Sequence, residues 1–383
     1  MARWSIRFTP DIILDSEIVS RITKIKTYIE IIKDIPIGQG QRNDLLEEGF
    51  RPSSIDGGTL RDDIVLKDIK GTAAIEGNVL NDTEINNVLK YENARNIQET
   101  EILNMKMVRK YIEGIQELND KVIITEDLIK TLNKIVMNDI PEEDFVGGTY
   151  RKYDVTVGKN YVPVRYEDVS EKMKEFIEFI NSEEVLNYDP LIRALMAHFY
   201  LVTIHPFGNG NGRTSRALEA YLFYNAGLSV HGFYSLNNYY YKNYDEYFKI
   251  LDDTRFKYKG CLQQFIIFGL TGYLDELQII VEKVKNFIIK ISYVSYAKEI
   301  FSCEEITPRQ YSLLEWIKYN NGIYTKSQIV NSKDELIKIL FSGIKTSRTR
   351  QRDINNLLKH ELISINENEK VIINYNVMKK FTR

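Results

Sequence analysis

The sequence predicts a mainly α-helical protein with one short β-hairpin near the middle of the chain and another near its end. Apolar residues recur at intervals of three and four through most of the chain, as they do on one face of a helix. Runs in which apolar residues cluster as they do in strands are short and confined to two places. Together these two observations indicate helical packing with little sheet.

The N-terminal half of the sequence reads as a series of helices. Residues 15–33 show the helical spacing in Ile18, Ile22, Ile25, Ile29 and Ile32. Residues 35–58 carry Pro, Gly and Ser and are typical of a connector. A helix is expected over 59–75, because Gly77 and Asn78 follow it as a stop signal. The same periodicity predicts helices over 82–118, 125–137, 166–181 and 189–203.

The mid-chain hairpin is predicted from two short apolar runs, 155–157 and 161–164, which flank the turn residues Gly-Lys-Asn at 158–160. A long apolar helix is expected over 265–291. The composition of the chain changes after it.

The last part of the chain, residues 306–383, predicts three helices followed by a hairpin. The helices are expected over 308–319, 325–331 and 346–360, and the strands over 362–365 and 371–373. This order is the winged-helix pattern of the helix-turn-helix class. The third helix starts with a basic group suited to DNA phosphates, Lys345, Arg348, Arg350 and Arg352. Winged helices also dock proteins, so DNA and protein partners both stay open for this domain.

The composition excludes several classes of protein. Of the 383 residues, 43% are hydrophobic and 27% charged, which excludes a disordered chain. The net charge of −3 gives no overall attraction to nucleic acid or anionic lipid. Cys261 and Cys303 lie far apart, which argues against a disulfide framework or a zinc site. No uninterrupted apolar run approaches the roughly 18 residues of a membrane span, so we expect a cytoplasmic protein without membrane contact.

The segment that indicates chemistry is residues 205–216, which read HPFGNGNGRTSR. Pro206 disfavours helix at His205, so the preceding helix should end there and present the imidazole. The glycines that follow permit a tight loop whose backbone amides lead into the N-terminus of the next helix, where an anion is favoured. Arg213 and Arg216 lie three residues apart and hence on one helical face. A histidine, an amide loop and two arginines suit phosphoryl or nucleotidyl transfer.

These twelve residues resemble the signature of the Fic family, H-P-F-x-[D/E]-G-N-G-R-x-x-R, whose members mostly transfer AMP from ATP to a protein hydroxyl. The resemblance implies a Fic-type helical core. It implies that His205 is the general base on a Ser, Thr or Tyr hydroxyl. It also implies that the backbone amides of Gly210, Asn211 and Gly212 bind the α- and β-phosphates of ATP, with Asn211 helping to position the α-phosphate.

The resemblance assigns Arg213 to the β-phosphate and Arg216 to the γ-phosphate. One position departs from the family: Asn209 stands where Asp or Glu usually holds Mg²⁺. An amide oxygen can ligate a hard cation but brings no negative charge, so a lower metal affinity is expected. Mg²⁺ therefore stays the expected cofactor, with Asn209 as a weak ligand.

A second motif lies upstream, where residues 72–78 read TAAIEGN and resemble the family's inhibitory motif, [S/T]-x-x-x-E-[G/N]. By this resemblance Glu76 pairs with Arg216 and occupies the arginine that the γ-phosphate of ATP needs. Glu76 is also expected, by resemblance to members that reverse the reaction, to orient a water for the removal of AMP.

Two further features are carried over from the family. The predicted hairpin at 152–164 resembles the flap that aligns a target segment by adding a strand to it. The tyrosine-rich run at 239–247 lies where family members contact adenine and ribose, and Tyr240 and Tyr247 are the candidates there. Core packing is the alternative for both tyrosines.

Three regions are expected: an N-terminal helical region with the inhibitory motif over 1–100, a Fic core over 101–290 and the winged-helix-like domain over 300–383. The expected function is autoinhibited protein adenylyltransfer, with ATP, a target protein and the chain itself as partners. The alternatives are a DNA-binding transcriptional regulator with a nucleotide-sensing Fic core, transfer of another nucleotide, and net removal of AMP. A homodimer is left open.

Overall fold

The computed structural model describes residues 6–10, 12–33, 60–158, 161–229, 236–331, 335–342 and 347–381. The chain divides into two compact units, Met1–Val281 and Glu282–Arg383. The described residues are mainly helical and form a single two-stranded sheet, so the mainly α prediction is confirmed.

The described helices of the first unit cover the predicted segments and include three that were not predicted, Glu183–Leu186, Leu236–Lys242 and Tyr244–Asp252. They are α1 (Ser16–Lys33), α2 (Leu60–Ile75), α3 (Asp82–Tyr91), α4 (Ile97–Glu113), α5 (Glu126–Val136), α6 (Val169–Ile180), α7 (Glu183–Leu186), α8 (Pro190–Ile204), α9 (Asn211–Asn225), α10 (Leu236–Lys242), α11 (Tyr244–Asp252) and α12 (Gln263–Ser302). Short 3-10 and π turns lie at Tyr166–Asp168 and Asp253–Lys257. The division between the two units falls within α12.

Helix α8 is the centre of the first unit. It begins with Asp189 as N-cap and Pro190 in its first turn, and every residue from Leu191 to Ile204 is buried. A helix that is apolar on all sides can only be stable when it is surrounded by protein. The one cationic side chain in it, Arg193, donates to the carbonyls of Ile180 at 3.1 Å and Val122 at 2.7 Å.

The single helix predicted over 82–118 is wrong, because the structure has two helices there, α3 and α4. Glu92 ends α3 in the left-handed region, with φ of 49°. Asn96 then caps α4 by accepting a hydrogen bond from the amide of Glu99 at 2.9 Å. A polar run between two periodic segments thus contains a stop and a new start that periodicity alone did not separate.

The mid-chain hairpin consists of an isolated bridge between Val157 and Tyr161, and no strand is assigned among the described residues of 152–164. Lys159 and Asn160 lie outside the described residues. Arg151 accounts for the missing ladder, because its guanidinium donates to the carbonyls of Tyr153, at 3.0 Å, and Val164. Those carbonyls are therefore satisfied by a side chain instead of a neighbouring strand.

Helix α12 is 40 residues long, well beyond the predicted 265–291. It contains an 18-residue window of mean hydropathy 1.2 and is, by length and composition, apolar enough to cross a membrane. The core helix of a soluble protein meets the same test, and 61% of that window is buried inside the protein.

The second unit has its own apolar core. Its described elements after α12 are α13 (Pro308–Tyr319), α14 (Lys326–Val330), α15 (Glu335–Leu340), α16 (Ser347–Lys359), β1 (Ile363–Ile365), β2 (Val371–Ile373) and a 3-10 helix at Tyr375–Phe381. The strands are antiparallel and pair Ile363 with Ile373. Leu313, Ile354, Leu357 and Val371 are among the side chains buried in this core. The short helix α15 was not predicted, and the winged-helix assignment stays a prediction.

Candidate active site

The loop after α8 is built as the sequence predicts. The helix ends at Ile204, and His205 turns the chain in the left-handed region with φ of 55°. The His205 carbonyl accepts from Arg151 Nε at 2.9 Å, and the Pro206 carbonyl accepts from the Arg151 amide at 2.9 Å. Tyr150 and Phe207 form an antiparallel bridge beside them. The buried Arg151 thus fixes the backbone on both sides of the histidine.

The His205 imidazole is arranged to accept a proton. Its Nδ1 lies 3.2 Å from the Val202 carbonyl, which can only accept, so Nδ1 carries the hydrogen and Nε2 keeps its lone pair. Burial lowers the pKa of His205 to about 4, so the ring is neutral at physiological pH.

The side chain of Asn211 closes the loop that follows. Its Oδ1 accepts from the Phe207 amide and its Nδ2 donates to the Phe207 carbonyl, both at 2.9 Å. A second amide side chain, Asn133 of α5, links the loop to α9. Its Nδ2 donates to the Asn209 carbonyl and to Thr214 Oγ1, each at 3.1 Å. The sequence analysis missed Asn133, although a polar residue among the buried apolar positions of α5 was a usable signal.

Helix α9 begins at this loop without a capping side chain. Its N-cap is Gly210 in the left-handed region, with φ of 75°. The Gly210 amide is already bonded to Asn209 Oδ1 at 2.6 Å. The amides of Asn211 and Gly212 are therefore the first amides of the helix, and no side chain caps them. Uncapped amides at a helix N-terminus favour an anion.

The carboxylate of Glu76 lies over this helix start. Glu76 follows α2, and its Oε1 accepts from Arg216 Nη2 at 2.7 Å. A Cβ at position 212 would collide with the same oxygen, so glycine is needed for this approach. Arg216 is buried and also donates to Thr72 Oγ1 at 2.9 Å. Partial burial opposes the charge on Glu76, whose side chain is 30% exposed, but Arg216 and Arg213 outweigh it and lower the pKa of Glu76.

A second ion pair, which the sequence did not indicate, holds the other arginine. Arg213 Nη1 donates to Glu101 Oε1 of α4 at 2.7 Å, with side-chain exposures of 4% and 15%. The other oxygen of Glu101 accepts from Asn78 Nδ2 at 2.9 Å. Because Asn78 lies in the turn directly after Glu76, one carboxylate contacts both Arg213 and the segment that carries Glu76.

Residues 123–223, which contain the loop and α9, match the Fic/DOC family. The chain carries a Fic domain. Glu76 and Glu101 lie outside the matched residues, on the helical region that precedes the Fic domain.

Curated relatives match less than half of the chain. A protein adenylyltransferase Fic of Aedes aegypti is 33% identical over 166 residues, which is 42% of this chain and 32% of the relative. The protein adenylyltransferase fic-1 of Caenorhabditis elegans is 32% identical over 163 residues, 41% of this chain and 31% of the relative. The chain thus spans about a third of the length of these relatives.

Solved structures show the same fold over more of the chain. A Fic family protein from Desulfovibrio desulfuricans G20 has a TM-score of 0.54 at 16% identity and covers 96% of this chain and 98% of its own. Fic-1 (aa134 - 508) from C. elegans has a TM-score of 0.52 at 19% identity, covering 70% and 73%. At these identities the likeness establishes the fold alone.

The corner of the Fic domain where magnesium is expected holds Asn209 and Glu142. Asn209 Nδ2 donates to Glu142 Oε1, while Asn209 Oδ1 accepts from the Gly210 amide. Among the described residues, no group of three or more His, Cys, Asp and Glu side chains is placed to hold a metal ion. One carboxylate beside the uncapped start of α9 still fits magnesium, because proteins hold this ion through one or two carboxylates plus substrate phosphates.

Tyr240 and Tyr247, the candidates for adenine and ribose, are buried in the core of the first unit, with 0% and 1% exposure. Their rings stack at 4.6 Å, and the Tyr240 hydroxyl donates to Glu219 at 3.0 Å. His198 bridges the same group, with Nδ1 2.5 Å from Glu219 Oε2 and Nε2 2.8 Å from the Tyr247 hydroxyl. Both tyrosines therefore lie in a packed polar network beside Arg216, and contact with adenine stays a prediction for them.

Proposed function

We propose that this chain is a protein adenylyltransferase that moves AMP from ATP to a Ser, Thr or Tyr hydroxyl of a protein, itself included, and that Glu76 restrains it. The names of the curated relatives support the reaction class. The observation that carries the proposal is the neutral His205, with Nε2 open, next to the uncapped N-terminus of α9.

In this mechanism the α-phosphate of ATP binds the amides of Asn211 and Gly212, and the outer phosphates bind Arg213 and Arg216. His205 Nε2 takes the proton of the target hydroxyl. The hydroxyl oxygen forms a bond to the α-phosphorus as the bond to the bridging oxygen breaks, and pyrophosphate leaves. The protein contributes placement and charge stabilisation. Magnesium, when bound, neutralises phosphate charge, and the side chains beside its expected position are Asn209 and Glu142.

The restraint by Glu76 follows from where its carboxylate lies. It covers Gly212 and pairs with the buried Arg216, so phosphates and Glu76 compete for the same groups. Arg216 is 1% exposed and the Glu76 side chain 30%, so withdrawing the carboxylate leaves a buried guanidinium without its partner. This cost keeps the nucleotide-competent state a minor population.

The decisive test is self-labelling of the purified chain with α-³²P-ATP and magnesium. We expect Glu76→Gly to label strongly, because Arg216 and the α9 amides become free, and the unaltered protein to label weakly. Adding His205→Ala should abolish labelling, since no base remains for the hydroxyl. Intact mass after incubation with each nucleoside triphosphate identifies the transferred nucleotide by the monophosphate gained.

Equal labelling of Glu76→Gly with and without His205→Ala would contradict the assignment of the base. If the protein preferentially gains a monophosphate other than AMP, the donor is the corresponding nucleoside triphosphate and not ATP. Release of AMP from labelled protein by the unaltered chain, but not by Glu76→Gly, would establish the reverse reaction.

A DNA-binding regulator is the second candidate, supported by the exposed Arg348 and Arg352 on α16. Arg350, from the same predicted group, instead donates to the Val330 carbonyl at 3.0 Å. Lys345 lies outside the described residues. Sequence-specific DNA retention that survives His205→Ala and is lost in Arg348→Ala/Arg352→Ala would favour this role.

A further inference from the structure

The Fic domain lacks an acidic side chain at the position where the family signature has one, and the structure brings another carboxylate to it. Asn209 is uncharged, and its Nδ2 cannot ligate a cation. That Nδ2 donates to Glu142, a residue 67 positions earlier in the chain. Position 209 has no carboxylate of its own, and the fold places the carboxylate of Glu142 beside it.

The segment that carries Glu142 is held at both ends. Before it, the carbonyl of Asn138 accepts from Asn104 Nδ2 at 2.7 Å. After it, the amide of Gly148 donates to Asn133 Oδ1 at 2.9 Å. Between them the ring of Phe145 packs against Gly208, where a Cβ would collide with it. Glu142 is therefore placed beside the loop by packing on both sides, although its own side chain is exposed.

The partner of the Glu142 carboxylate in the described part of the chain is an uncharged amide, Asn209 Nδ2. Among the residues that the structure describes, no Lys, Arg or His side chain forms an ion pair with it. The proposed function brings a triphosphate to the amides of Asn211 and Gly212, close to Asn209. A free carboxylate next to a triphosphate is repelled unless a cation lies between them. A divalent cation ligated by both removes that repulsion.

We propose that Glu142 is the protein carboxylate that ligates the divalent cation bound with the nucleotide, and that Asn209 is a positioning residue that holds Glu142 through its amide nitrogen. This inference rests on the proposed function, because the nucleotide supplies the other oxygen ligands. The carboxylate that the family signature has in the loop itself would here come from the segment between α5 and residue 150.

The test measures metal binding in the absence of turnover. Full-length Glu76→Gly protein is mixed with α,β-methylene-ATP, which cannot transfer AMP, and free Mn²⁺ is followed by electron paramagnetic resonance. Adding Glu142→Gln should weaken Mn²⁺ binding to the nucleotide complex roughly tenfold or more, since loss of a metal-site group has at least this effect. The matched control Glu143→Gln removes the same charge from the same segment and should change the affinity less than about twofold.

A third variant distinguishes ligation from general charge. Asn209→Asp added to Glu142→Gln should restore Mn²⁺ affinity, because it returns the carboxylate to the signature position. Equal Mn²⁺ affinities for Glu142→Gln and Glu143→Gln would overturn the inference and leave the proposed function intact. Failure of Glu76→Gly to bind the nucleotide at any Mn²⁺ concentration would overturn both.

Discussion

At the scale of single residues, the site depends on how His205 is held. A histidine with φ of 55° is uncommon, and the surrounding hydrogen bonds determine it: the His205 amide donates to Leu201 and the carbonyl accepts from Arg151. The same turn directs Nδ1 to the Val202 carbonyl. One backbone conformation thus selects the tautomer that leaves Nε2 free to act as a base.

The depressed pKa of His205 predicts the pH dependence of labelling. A general base works only when it is neutral, so activity should fall as pH drops through its pKa and be constant above it. With that pKa near 4, we expect Glu76→Gly labelling to be constant between about pH 6 and 8 and to fall only below about pH 6. The negative charge of bound phosphates raises the pKa of His205, so the fall in labelling should begin at a pH above 4. A single acid limb centred above pH 7 would show that the imidazole is not neutral in the resting protein.

At the scale of elements, two helices converge on the two arginines of α9. Helix α2 supplies Thr72 and leads to Glu76, and α4 supplies Glu101. Close packing of α2 is visible at Gly71, where a Cβ would collide with the backbone of Asn237 in α10. Both arginines are thus paired with carboxylates from the region that precedes the Fic domain.

The Glu101–Arg213 pair predicts a second effect on nucleotide affinity. In the Glu76→Gly background, Glu101→Gln should tighten ADP binding about fivefold to tenfold, or roughly 1–1.4 kcal/mol, because Arg213 no longer has to leave a carboxylate. The same change should lower the melting temperature without ADP, because it leaves a buried guanidinium without its charge partner. Calorimetric titration and thermal unfolding measure the two effects.

Glu117→Gln is the matched control for this change, because Glu117 is exposed and lies just beyond the end of α4. It should alter neither ADP affinity nor melting temperature. Weaker ADP binding in Glu101→Gln would mean that Glu101 orients Arg213 for the nucleotide instead of competing with it.

At the scale of the whole molecule, the chain folds as two units with separate apolar cores. The first surrounds the buried helix α8, and the second contains Leu313, Ile354 and Leu357 among its buried residues. The family match lies entirely within the first unit. The chemistry proposed for the site therefore depends on residues of one unit.

Separate cores predict that a cavity in the second unit has a local effect. Leu357→Ala should destabilise that unit by about 2–5 kcal/mol, the usual result of truncating a fully buried leucine. Hydrogen exchange followed by mass spectrometry should show faster exchange in α13, α16 and the hairpin, with α8 and α9 unchanged. Faster exchange throughout the chain would instead indicate one cooperative unit.

Sequence reasoning succeeded where the signal is local. Helix periodicity, the stop signal at Gly77 and Asn78, and Pro206 predicted α1, α2, α5 and the end of α8, because each depends on residues within a turn or two. It failed at 82–118, where a cap had to be recognised inside a periodic run, and at 152–164, where Arg151 takes the carbonyls that a ladder would use.

The loop at 205–216 could be predicted from local sequence, because twelve consecutive residues carry the histidine, the helix-start amides and both arginines. Which carboxylates contact these groups depends on the packing of distant segments. Glu101 and Arg213 are 112 residues apart, and Glu142 and Asn209 are 67 apart. The burial of Tyr240 and Tyr247 was decided in the same way. Such pairs depend on how distant helices pack, and no spacing within one helix or loop encodes that.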